Sequence, residues 1–166
     1  LYRHGHHTPA SLHFVRNHGP VPIKAPTEAD REEVYNSWRV KIHGAVEKEV
    51  TVSIADLEAL PRVVRPCLLV CAGNRRKEQN TVKKTIGFNW GAAGLSNSTW
   101  EGCRLIDVLA LAGIKPKAEG AKHVHFTGPP GELPKGEDGS YGTSLKREYA
   151  LNPDNDVLLV WKQNGE

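Results

Sequence analysis

Proline and glycine set the first limit on what this chain can fold into. Eleven prolines and sixteen glycines are spread through its 166 residues, and each either locks the backbone or releases it from regular structure. Pro9, Pro20, Pro22 and Pro26 crowd residues 1–30, which read as an extended, His- and Pro-rich lead-in. Residues 31–166 read as the core portion. Apolar residues at 39% suffice for a modest core, and with 25% charged residues global disorder is a poor fit. The net charge of +3 is too slight to indicate nucleic acid. No apolar stretch is long enough to span a bilayer, and the first seven residues lack the apolar run of a secretory signal. Neither a nucleic-acid nor a membrane partner is expected. Three cysteines, Cys67, Cys71 and Cys103, are an odd set that favours a reducing, cytoplasmic setting over a disulfide framework. The chain opens on Leu1 and contains no Met, so it reads as part of a longer protein. The closing Asn164-Gly165 turn signal after an apolar run reads the same way.

The patterning predicts a mixed α+β domain with short helices and long loops. A charged helix is expected at Glu28–Tyr35, with Thr27 as N-cap and Asp30 three residues on. Trp38–Gly44 alternates like a half-buried strand, with Glu49–Val52 as its partner. Ser53 should cap a short helix that Pro61 stops. Val63–Val70 is an apolar strand that Pro66 should break. Residues 75–100 read mostly as loop. Leu105–Ala112 has helical spacing closed by Gly113. His123–Phe126 is a strand, residues 128–142 a loop, and residues 157 onward a terminal strand.

The sharpest local signal is Leu69-Val70-Cys71-Ala72-Gly73-Asn74-Arg75-Arg76-Lys77. A strand delivers a thiol to its exit edge, a Gly-Asn turn removes bulk, and three cations follow. Neighbouring positive charge favours the thiolate, the form that binds metal or attacks, and arginine's fork suits an oxyanion. A structural cysteine beside a solvated basic loop would look the same in sequence. Arg16-Asn17-His18 before a stiff Pro-rich stretch offers further donors. Trp90, among Gly87, Gly91 and Gly94, is either a site wall or a core aromatic; the small residues would let backbone approach a bulky ligand. His4, His6 and His7 fit a solvated terminus, His123 and His125 share a strand face, and Cys103 reads as packing. C-x3-C spacing at Cys67 and Cys71 without a second ligand pair argues against zinc.

The string Cys71-Ala72-Gly73-Asn74-Arg75-Arg76, taken with Arg16-Asn17-His18-Gly19-Pro20-Val21-Pro22, resembles the molybdenum-pterin domain of the sulfite oxidase family. Lys77-Glu78-Gln79-Asn80, Thr85 to Gly94, Tyr141-Gly142-Thr143-Ser144 and Gln163-Asn164-Gly165-Glu166 are similar to the eukaryotic assimilatory nitrate-reductase branch. The resemblance implies that residues 1–166 are part of a molybdopterin-binding domain of the sulfite-oxidase type. It implies Cys71 as the molybdenum ligand beside molybdopterin, with Arg16, Arg76 and Trp90 as catalytic residues around nitrate. Phe14, Arg16, Asn17 and His18 would contact the pterin. Haem and FAD would belong to other domains, and the whole enzyme would be a homodimer. Sulfite oxidation by the same cofactor, or a metal-free anion-binding remnant of the scaffold, are the alternatives.

Overall fold

The computed structural model describes residues 4–16, 25–129 and 142–166. The chain divides into two compact units interleaved in sequence. The first comprises residues 1–16, 64–101 and 160–166; the second comprises residues 17–63 and 102–159.

The second unit holds the apolar core. Helix α1 (Glu28–Ser37) starts at Thr27, whose hydroxyl accepts the Asp30 N–H at 3.1 Å while Asp30 accepts the Thr27 N–H at 3.0 Å. This reciprocal pair satisfies two N–H groups that an α-helix start leaves open. Strands β1 (Arg39–Ile42) and β2 (Val50–Ser53) pair antiparallel, Val40 opposite Val52 and Ile42 opposite Val50. Ser53 ends β2 and caps α2 (Ile54–Glu58), with Asp56 returning the bond to the Ser53 N–H at 2.8 Å. Helix α4 (Leu105–Ala110) buries Leu105, Val108 and Leu109, the one-face spacing of an amphipathic helix, and Ala112 continues the stripe. The helix ends at Ala110 with Leu111 as its C-cap, two residues short of the expected end, and Gly113 at φ +67 follows the turn after it. Ile42, Val52, Ile54 and Leu57 are also buried. Strands β5 (His123–Thr127) and β6 (Gly142–Lys146) form a second antiparallel pair, followed by α5 (Arg147–Ala150).

The first unit carries most of a three-stranded sheet in the order β3 (Arg62–Val70), β4 (Leu95–Arg104), β7 (Leu158–Gln163). Every buried residue described in this unit is polar or glycine: Thr8, Gly73, Gly94, Ser96, Ser98 and Glu101. Hydrogen bonds therefore do here what apolar packing does in the second unit. Asn97 takes the Thr8 N–H on its carbonyl at 2.6 Å, gives its own N–H to the Thr8 hydroxyl, and reaches the His6 carbonyl with its amide at 2.8 Å. The Phe14 N–H donates to the Ser96 hydroxyl at 2.6 Å. Asn164, left-handed at φ +55 as the Asn-Gly signal requires, accepts the Thr99 N–H at 3.0 Å and donates to the Thr8 carbonyl at 2.8 Å.

The α+β expectation holds, with the strands divided over three small sheets. Two local expectations fail. Pro66 does not break β3, which runs unbroken from Arg62 to Val70; β3 ends the strand order of its sheet, and an edge tolerates a residue with no N–H. Residues 75–100 are not mostly loop, because α3 (Arg76–Val82) and the start of β4 lie there. Most of the expected loop at 128–142 lies outside the described residues.

Candidate active site

Strand β3 delivers Cys71 to a tight turn. The Asn74 N–H donates to the Cys71 carbonyl at 2.8 Å, and the Gly73 N–H points at the Cys71 sulfur at 3.4 Å. The turn is then clamped to the segment before β4 from both sides. The Cys71 N–H bonds the Gly94 carbonyl at 2.8 Å, and the Gly94 N–H bonds Asn74 Oδ1 at 2.9 Å. The fit at Gly94 is close: a Cβ on it would stand 3.2 Å from Asn74 Oδ1, a tight contact, and 3.5 Å from Cys71 Cβ, an ordinary one. Cys71 itself is half-buried, Cys67 exposed and Cys103 fully buried. Burial, aided by the Asp107 charge, pushes the Cys103 thiol up, which suits a packing role.

The two arginines after the turn go separate ways. Arg75 is left-handed at φ 62 and exposed, and its guanidinium pairs with Glu78. That pair holds the Glu78 carboxyl below its usual range, chiefly through the hydrogen bond from Arg75. Arg76 is half-buried, its guanidinium lying between two glycines. A Cβ on Gly73 would fall 3.2 Å from its Nη2, and one on Gly87 would fall 2.9 Å from its Cζ and nearer still to Nη1. Gly87 has φ +126, a backbone that side-chain-bearing residues rarely adopt. The glycines read as room for a ligand thus make room for the protein's own side chains; only Gly91 in that string has nothing within 4 Å.

Trp90 reaches the same place because the first turn of α3 holds its backbone. The Arg75 N–H donates to the Gly91 carbonyl at 2.9 Å and the Lys77 N–H to the Trp90 carbonyl at 3.1 Å. Trp90 Cδ1 then lies 2.9 Å from where a Gly73 Cβ would be, so it meets the same glycine that Arg76 does. Phe14 meets Trp90 edge-on, with ring centroids 5.7 Å apart. The Arg16 guanidinium stands 5.8 Å from the Trp90 centroid and 6.0 Å from that of Phe88. One unit therefore brings together Phe14, Arg16, Cys71, Arg76 and Trp90. Asn17 and His18 lie outside the described residues.

Sequence reasoning did not single out Asn74 as a clamp or Phe88 as an arginine partner. The Gly73-Asn74 turn signal marked the first residue's place, but its bond to Gly94 spans twenty positions. Nothing in the sequence marks Phe88. Among the described residues no group of three or more His, Cys, Asp or Glu side chains converges as a metal cage. His123 and His125 do share an exposed face, with ring centroids 6.3 Å apart.

A thiol on a clamped turn, in one unit with a half-buried arginine and a tryptophan that meet the same glycine, is a donor set able to ligate a metal or meet an anion. In agreement, residues 18–166 match the oxidoreductase molybdopterin binding domain, and the chain belongs to that family. It is 52% identical over 166 residues to the NADH nitrate reductase of Ulva prolifera and 49% identical over 164 to that of Volvox carteri. These matches cover 100% and 99% of this chain but 18% of each relative, so the chain spans less than a fifth of their length. Among solved structures it is similar to the sulfane dehydrogenase SoxCD of Paracoccus pantotrophus, with a TM-score of 0.58 and 25% identity. That match covers 80% of this chain and 30% of the other.

Proposed function

We propose that this chain holds a molybdenum-molybdopterin group through Cys71, and that the full-length protein reduces nitrate to nitrite there. The observation that carries the reading is the seating of Arg76 between Gly73 and Gly87, beside Trp90 and on the turn that presents Cys71. The donor set fits the group. A single protein sulfur that accepts an N–H suits a metal whose other ligands come from elsewhere, as the two sulfurs of molybdopterin would. When bound, the group supplies the two electrons and the acceptor for the oxygen atom that nitrate gives up.

The chain's own part is placement and charge. Nitrate is planar and carries one negative charge, so the Arg76 and Arg16 forks bind it by charge-assisted hydrogen bonds without first protonating it. Fixed guanidinium groups need no reorganisation as nitrite leaves with the single negative charge now on two oxygens instead of three. Trp90 walls the site and excludes water. Phe14, Asn17 and His18 belong to the segment that contacts the pterin. Haem and FAD would lie on parts of the protein outside this chain, which would act as a homodimer in the cytoplasm.

The test is on the purified full-length protein: molybdenum and pterin content, and nitrite formed from nitrate with a supplied reductant. Metal in about one-to-one ratio and nitrite formation are expected. A folded protein without molybdenum would overturn the reading in favour of a metal-free anion-binding module. The similarity to a sulfane dehydrogenase supports a second reading, oxidation of a sulfur compound. A metal-loaded protein that oxidises sulfite and leaves nitrate untouched would select it.

A further inference from the structure

Phe88 is a large apolar side chain left 71% exposed, on the loop that carries Trp90. Its position is fixed from both sides. Gly87 precedes it with φ +126 and rests against Arg76. The Trp90 N–H donates to the Phe88 carbonyl at 3.0 Å, a turn that sets the two rings nearly perpendicular, 6.3 Å apart at their centroids. Arg16 comes from a different part of the chain, pinned to β4 by the Phe14–Ser96 bond. Its guanidinium meets both faces of this aromatic corner, 6.0 Å from Phe88 and 5.8 Å from Trp90. A guanidinium within about 6 Å of a ring is attracted by the ring's negative face, and two rings restrict it more than one.

We propose that Phe88 is a positioning residue: with Trp90 it holds the Arg16 guanidinium at the angle from which it serves the anion site. The dipeptide Gly87-Phe88 thereby seats both arginines, Gly87 by leaving room for Arg76 and Phe88 by lending Arg16 a ring. The inference rests on the reading that Arg16 serves an oxyanion, and it adds the residue that aims it.

The experiment compares wild type, Phe88→Leu and Phe88→Tyr in the full-length metal-loaded protein. Leucine keeps apolar bulk without a π face; tyrosine keeps the ring. The first readout is the rate at which phenylglyoxal labels Arg16, resolved by mass spectrometry, with Arg75 as internal reference. Loss of one exposed cation–π contact should speed Arg16 labelling about two- to five-fold in Phe88→Leu and leave Arg75 unchanged. The nitrate KM should rise by about the same factor with kcat little altered, and Phe88→Tyr should restore both. Arg16 labelling that ignores the loss of the ring, or a Tyr variant that behaves like Leu, overturns the proposal. If labelling responds but the wild type does not reduce nitrate, the positioning role stands and the nitrate reading falls. If nitrate is reduced and labelling does not respond, only the positioning role falls.

Discussion

Replacing Gly87 with alanine tests whether the seat of Arg76 is built as described. Two effects add. The backbone at φ +126 lies in a region essentially confined to glycine, so an alanine there costs about 1–3 kcal/mol in strain. The new methyl would also stand 2.9 Å from Arg76 Cζ and closer to Nη1, a distance that real contacts do not reach. The guanidinium is the far end of a flexible side chain, so it is the part that moves. Hydrogen bonds to a charged group contribute about 1.5–3 kcal/mol each, and losing one of them to nitrate corresponds to roughly a 10- to 100-fold fall in kcat/KM.

Two sibling substitutions grade the result. Alanine at Gly73, where φ is not positive, would meet Trp90 Cδ1 at 2.9 Å and Arg76 Nη2 at 3.2 Å, so it should lower kcat/KM without the backbone strain. Alanine at Gly91 meets nothing within 4 Å and should be neutral or stabilise by about 0.4–1 kcal/mol. The assay is steady-state nitrate kinetics on full-length protein of matched molybdenum content, with thermal unfolding alongside. The expected order of damage is Gly87, then Gly73, then Gly91. A Gly87→Ala protein as active as Gly91→Ala would refute the claim that this glycine makes room for Arg76.

Further outcomes follow from the same geometry. Cys71→Ser should purify with little or no molybdenum, measured by elemental analysis, because the hydroxyl is a far poorer soft-metal ligand than the thiolate. Arg76→Lys keeps the charge and loses the fork, so nitrate kcat/KM should drop at least about tenfold, by the same steady-state assay. Asn74→Ala strands the buried Gly94 N–H and should destabilise by about 1–3 kcal/mol in denaturant unfolding. Asn89→Ala, which removes an exposed bond to Asn80, should cost less. The Asp56 carboxyl is held below its usual range by hydrogen bonds from the Ser53 side chain and backbone. A depressed carboxylate stabilises the fold above its unfolded pKa and loses that contribution as pH falls through the folded value, so acid should weaken the fold below about pH 4. Asp56→Asn should lessen that dependence in acid titrations followed by circular dichroism.

The second unit was legible in the sequence because its forces are local or periodic. Thr27 and Ser53 announce their helices by side-chain chemistry three residues deep, and Leu105, Val108 and Leu109 recur at the interval of a helix face. The site residues were named mainly through family resemblance, and their neighbours came out only in the structure. Strand β4 was missed because its inward positions are Ser96 and Ser98, polar residues buried by hydrogen bonding, which no hydrophobic pattern reveals. Helix α3 was missed because its start has no capping side chain and follows Arg75 in a left-handed conformation. Its charged run looked like a solvated loop.

That failure of pattern is informative about how the site is made. An apolar core positions side chains through many small contacts, and it forgives a methylene here or there by repacking. The first unit, among its described residues, buries hydroxyls, an acid and glycines instead. Each of its segments reaches the site through a directed bond: the lead-in by Ser96 and Asn97, the cysteine turn by Asn74 and Gly94, the Trp90 segment by the N–H groups of Arg75 and Lys77. Hydrogen bonds fix angle as well as distance, and angle is what a flat, two-pronged guanidinium must hold to grip a flat anion. Such a unit gains direction and gives up tolerance, because every buried donor deprived of its acceptor is penalised in full. Substitutions that merely shrink an apolar side chain should therefore be felt more in the second unit, and those that remove one amide or hydroxyl more in the first.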